Sequence, residues 1–198
     1  FLFLVATLFG IFATSSHIKE KAINDMARED ARQTSQLIFQ SLYSAMSKGW
    51  DKAEIQEVID RLNQVEPQMR IRVLRGEPVV KEYGEFPGER ELRDSDPLLQ
   101  QALNHGQESL TKLNDDNLRY IFPVVVNQAC IDCHDAKVGD INGAIDIVYP
   151  ISNLKVSLNF IINMVVVYLT VIMVLLSIAL LSSLRSFIIK PISRVTTV

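Results

Sequence analysis

The sequence predicts an α+β fold, with an antiparallel sheet behind a long N-terminal helix and two flanking transmembrane helices. Three observations predict it. Uncharged apolar stretches lie toward both ends, at Phe1–Ser16 and Val156–Leu184. All 23 acidic residues are confined to Glu20–Asp146. After Pro67 the hydrophobic period changes from that of a helix to that of a strand.

The expected organisation is a first transmembrane helix at 1–16, an outer domain at 17–150, a second span at 151–186 and the start of a cytoplasmic linker at 187–198. The 29 uncharged residues Val156–Leu184 would extend about 43 Å as a helix, more than the roughly 30 Å of bilayer hydrocarbon. The first stretch lacks a leading Met and reads as the end of a longer hydrophobic segment. A cleaved signal peptide fits it less well, because no Ala-x-Ala-like site follows and Ala13–Lys19 runs straight into a helical pattern. Arg185, Lys190 and Arg194 follow the second span without any acid, which places the C-terminus in the cytoplasm by the positive-inside rule. Two spans then put both termini inside and residues 17–155 outside. Asn159 and Asn163, one turn apart near the outer end of the second span, read as interfacial solvation, or as hydrogen bonding across a helix dimer.

From His17 to about Lys48 the pattern is helical. Ile38, Leu42, Ala45 and Met46 share one apolar face, and Gly49 is placed as a C-cap. Asp51 caps a second helix, with Glu54 as its capping-box partner and Ile55, Val58, Ile59 and Leu62 as its buried face. Met69–Arg75 alternates as a strand; Gly76-Glu77-Pro78 reads as a turn and Val79–Tyr83 as a second strand. Gly84–Asp96, rich in Gly, Pro and charge, reads as loop, and Pro97–Asn104 as a short helix stopped by Gly106. Strands are expected at Glu108–Leu113, Leu118–Val126 and Ile141–Tyr149, about five in all, with Pro150 leading into the second span.

The chain's two cysteines lie in Cys130-Ile131-Asp132-Cys133-His134. Cys-x-x-Cys-His is the attachment signature of a c-type haem. Thiols three positions apart can reach the two vinyl groups on one porphyrin edge, and the following His is held beneath the iron as an axial ligand. A thioredoxin-like pair does not need the His and opens a helix after a strand in a βαβ unit. A zinc site needs a further ligand. A disulfide across so short a loop would stabilise little. Covalent haem is attached outside the cytoplasm, in agreement with the charge bias.

Taken together, the two spans, the Cys130–His134 motif before the last strand and Ile189-Lys190-Pro191-Ile192 after the second span carry a resemblance. The chain resembles the sensor half of a bacterial transmembrane receptor with a periplasmic haem c PAS-like or Cache-like domain, and is similar to the haem-binding domains described as Tll0287-like. Ile189–Ile192 looks like the start of a HAMP linker, although HAMP needs two helices and the sequence given stops inside the first. The resemblance implies a sheet flanked by helices on one side, a parallel homodimer in the bacterial inner membrane, and an output domain of kinase, cyclase or chemoreceptor type. His134 is expected as the proximal ligand. Some such sensors use a Met from the N-terminal helix, which points to Met46 as the candidate distal ligand; Met69 or an open, water-bound site are the alternatives. His17 and His105 read as solvated surface residues.

The expected function is sensing of redox state or a diatomic gas, with release of Met46 uncoupling the two membrane-crossing elements. The alternative is a membrane-anchored monohaem cytochrome for periplasmic electron transfer. Enzymatic activity is not expected, since there is no Gly-rich phosphate loop and no Ser-His-Asp set, and the acidic outer domain argues against nucleic-acid binding.

Overall fold

The computed structural model describes residues 2–65, 67–132 and 134–185. Two compact units form: Asn24–Asn153, and the residues through Ile23 together with those from Leu154 onward.

The first helix, α1, runs Leu2–Met46. No Pro or Gly interrupts it after Gly10, and Ala27, Ala31, Ser35, Ile38, Leu42 and Ala45 form its buried stripe at steps of three and four. Gly49, at φ +80°, ends the region. The next helix, α2 (Lys52–Val65), begins with the expected capping box. Asp51 Oδ1 accepts from the amides of Ala53 and Glu54 at 2.8 and 2.9 Å, and Glu54 Oε2 accepts from the Asp51 amide at 2.7 Å.

Strand β1 (Arg70–Arg75) is followed by three short helices: α3 (Glu77–Tyr83), α4 (Glu89–Ser95) and α5 (Pro97–His105). Strands β2 (Ser109–Lys112), β3 (Asn117–Val125) and β4 (Ile141–Pro150) complete an antiparallel sheet of order β1-β4-β3-β2. Among the described residues the sheet has four strands rather than about five. The strand expected at Val79–Tyr83 is helical, because Glu77 and Pro78 open a first turn, Glu77 pairs with Lys81 one turn on at 2.8 Å, and Gly84 at φ +72° closes it. The loop expected at Gly84–Asp96 contains α4, entered through Gly88 in the left-handed region.

Helices cover both faces of the sheet, not one. Ile71, Ile145 and Ile147 pack with Ile38 and Leu42 of α1 and Ile59 of α2. On the other face Leu74, Ile121 and Ala144 pack with Leu99, Ala102 and Leu103 of α5. Successive strand residues point to opposite sides, and here both sets include apolar side chains that must leave water. The second face also buries Asp146. Its carboxylate pairs with Arg119 at 2.8 and 2.9 Å and with Arg72, and Arg119 reaches on to Asp96 at 2.6 Å.

In the other unit, α6 (Ser152–Leu184) contains Ser152–Ser183, the one helix among the described residues that is long and apolar enough to cross a membrane. Asn163 accepts a hydrogen bond from Lys19 Nζ at 2.9 Å, a partner within the chain that neither sequence reading of this Asn included. The HAMP-like Ile189–Ile192 lies outside the described residues.

Candidate functional site

The motif occupies an excursion from the β3–β4 hairpin. Val126 closes its neck, donating to Asp140 O at 2.8 Å and accepting from the Gly139 amide at 3.0 Å. Asn127 starts a turn through its side chain, which accepts from the Ala129 amide at 2.9 Å. The His134 amide then donates to Cys130 O at 3.0 Å, closing one helix-like turn. That turn brings Cys130 and His134 to the same side of the loop. Cys133 lies outside the described residues.

Cys130 is 5% exposed and the His134 side chain 13%. Both line a cavity of about 840 Å³, part of it open to solvent. Phe39, Leu42, Tyr43 and Met46 form a second wall; their spacing places all four on one face of α1. Val73 of β1, Val124 of β3 and Ile145 of β4 form the floor, with Ile55 of α2 at the side. The sheet is irregular where the cavity meets it. A bulge falls between Val124 and Val125, opposite Asn142, whose buried Oδ1 has no hydrogen-bond partner.

The sequence-predicted residues are therefore sorted by the fold. Cys130, His134 and Met46 meet at one cavity. Met69 packs against the core beneath α1 and α2 instead. His17 and His105 are exposed, as expected.

Sequence reasoning missed α3, which supplies the wall nearest His134. Val79, Glu82 and Tyr83 are spaced i, i+3, i+4 and so share a helix face. Val79 lines the cavity. The Tyr83 ring meets the His134 ring edge-on at 5.6 Å and 85°. Glu82 Oε2 stands 3.5 Å from His134 Nδ1, and it also accepts from the Asp135 amide at 3.4 Å. The Nδ1 contact is longer than an ordinary hydrogen bond, and Nδ1 is buried without a hydrogen-bond partner. Reading Val79-Val80 as strand hid this face; Pro78 and the Glu77/Lys81 spacing were the signals that could have revealed it.

Chemically, the described residues give the cavity a mainly apolar interior with a thiol, an imidazole and a thioether. That set suits a flat, apolar, iron-bearing ligand better than a bare ion, and no group of three or more His, Cys, Asp or Glu gathers among the described residues.

No protein-family model and no curated protein matches this sequence. Among solved structures, the crystal structure of the cyanobacterial heme-protein Tll0287 is similar, with a TM-score of 0.34 and 11% identity, over 61% of this chain and 89% of that one. A likeness at that level carries no argument about this chain.

Proposed function

We propose that this cavity holds a covalently attached c-type haem, and that the chain is a membrane-anchored haem sensor of redox state or a diatomic gas. The observation that carries the reading is the convergence of the neighbouring Cys130 and His134 with Met46, distant in sequence, on one apolar cavity. Its apolar lining suits a porphyrin, and its motif supplies the attachment chemistry. Two buried polar atoms without partners, His134 Nδ1 and Asn142 Oδ1, mark where polar groups remain to be satisfied. When bound, haem supplies one-electron and gas-binding chemistry.

The chain's own residues take distinct parts. Cys130 and Cys133 would carry the thioether links, and His134 the proximal iron bond. Met46 would be a further candidate iron ligand, and its flexible thioether suits a bond that can be made and broken. Connectivity supports signalling. Met46 is the last residue of α1, whose first turns are the apolar N-terminal stretch, and the strand after His134 leads through Ile151 into α6. A change at Met46 or His134 thus has a covalent route toward each apolar segment. A periplasmic haem domain, a parallel dimer, two membrane spans and a cytoplasmic output domain complete the proposal.

The test is expression with a full cytochrome c maturation system and purification in detergent. The wild type is expected to show Soret absorbance that survives acid–acetone extraction, and Cys130→Ala to lose or weaken it. Met46→Ala is expected to bind CO more readily in the ferrous state. A wild type without Soret absorbance overturns the haem reading. Haem whose ligation and protein conformation are the same in both oxidation states, and are untouched by CO, supports the electron-transfer alternative instead.

A further inference from the structure

Glu82 has no part in the haem-attachment motif, yet its carboxylate stands beside the motif's His. The imidazole Nδ1 of His134 is buried without a hydrogen-bond partner, and the Glu82 carboxylate lies 3.5 Å from it. Three features hold the carboxylate there. Glu82 is on the last turn of α3, a helix ended by Gly84. The Asp135 amide, next to the His, donates to the same Oε2 at 3.4 Å. Tyr83 braces the ring edge-on from the same helix turn. Of the other carboxylates on α3 and α4, Glu77 is turned to Lys81, and Glu89 accepts from the amides of Arg75 and Phe86. Glu85, just after α3, is taken by Arg90 and Arg93.

We infer that Glu82 is the positioning residue for His134: its carboxylate accepts the Nδ1–H hydrogen bond and reserves Nε2 for the cavity. This rests on the haem reading above. A metal-bound His commonly gives its second ring N–H to a carboxylate or carbonyl, which fixes the tautomer and makes the ligating nitrogen a stronger donor. A stronger donor favours the ferric state. The 3.5 Å contact closes to an ordinary hydrogen bond through a small movement at the exposed end of a three-χ side chain. Functional hydrogen bonds are often long before the ligand is in place.

The experiment compares the haem-loaded wild type with Glu82→Gln, and with Glu77→Gln as a control of equal charge change on the same helix. Midpoint potentials come from optical redox titration, and the iron–histidine stretching frequency from resonance Raman of the ferrous, CO-photolysed protein. Glu82→Gln is expected to shift the ferric-to-ferrous balance toward ferrous roughly tenfold, if the loss of the outer partner falls mainly on the ferric state and is at the low end of the metal-affinity cost. For one electron that is about 59 mV. The stretching frequency should fall with it, and Glu77→Gln should change neither. If Glu82→Gln takes up no haem, Glu82→Asp is expected to restore uptake and the wild-type stretching frequency. Equal potentials and frequencies in loaded wild type and Glu82→Gln overturn the inference, as does an equal shift in Glu77→Gln or failure of Glu82→Asp to rescue. A wild type without haem overturns the parent reading, and this one with it.

Discussion

Arg119 stands between two carboxylates, Asp146 at 2.8 Å and Asp96 at 2.6 Å, and its side chain is 12% exposed. Removing Asp146 would leave Arg119 and Arg72 facing a buried void, the costly way to break such a pair. Asp96 is more informative because it also caps α5, accepting from the Leu98 and Leu99 amides. Burial opposes its ionisation, but Arg119 and those amides outweigh burial and hold the carboxyl below its ordinary value. A depressed carboxylate stabilises the fold above its unfolded pKa, and that stability is lost as pH falls through the folded one. Chemical denaturation in detergent is therefore expected to show stability dropping below about pH 4. Asp96→Asn, which keeps the cap but not the charge, should show a shallower drop; an unchanged profile would mean the pair contributes nothing. At this scale Cys130 and His134 could be picked out because their motif is contiguous in sequence, and both line the cavity. The helical face of Met46 gave its place on the cavity wall. Glu82 could not be picked out, because its relevance depends on a contact between segments more than fifty positions apart.

The element that decides the site is α3. Its seven residues connect β1 to the cavity wall, and its entry is tight. The Gly76 amide donates to Asn142 O at 2.7 Å, and a Cβ built on Gly76 would stand 2.0 Å from Ile141 O, a backbone atom of β4. Gly76→Ala must push β1 from β4 or tilt α3. A loss of about 1–3 kcal/mol in folding stability is expected, as for overpacked interiors. Denaturant melts against wild type measure it, and an unchanged midpoint would show that this junction yields freely. The strands were read correctly where apolar residues alternate between clear turns, as at Leu118–Val126 and Ile141–Tyr149. Short helices were harder. Val79-Val80 is a β-branched pair, and intrinsic preference lost there to Pro78, the Glu77–Lys81 pair and Gly84. In α4, charged residues that resemble solvated loop form an ion-paired turn, with Glu85 held by Arg90 and Arg93.

For the molecule as a whole, the sequence conveyed the class, α+β with apolar segments, because charge distribution and period are global signals. It did not convey that both sheet faces are covered, since the second layer is built from the two short helices α4 and α5 and one buried ionic cluster. The proposed orientation rests on Arg185, Lys190 and Arg194, the cationic residues that follow α6 in the sequence. A phosphatase active only outside the cytoplasm, fused after Arg185, is expected to be inactive, and a fluorescent reporter at the same place to fluoresce; the opposite pair of results would invert the topology. One further consequence follows from Val126. Because its two backbone bonds seal the stem of the β3–β4 hairpin, the described residues between Val126 and Gly139 hang from the sheet like a fitting on a bayonet mount. The β3–β4 register is carried by backbone pairing from Asn117 to Val125, outside that fitting. Descendants of this chain, or a designer, could exchange the side chains carried there without re-laying the β3–β4 pairing.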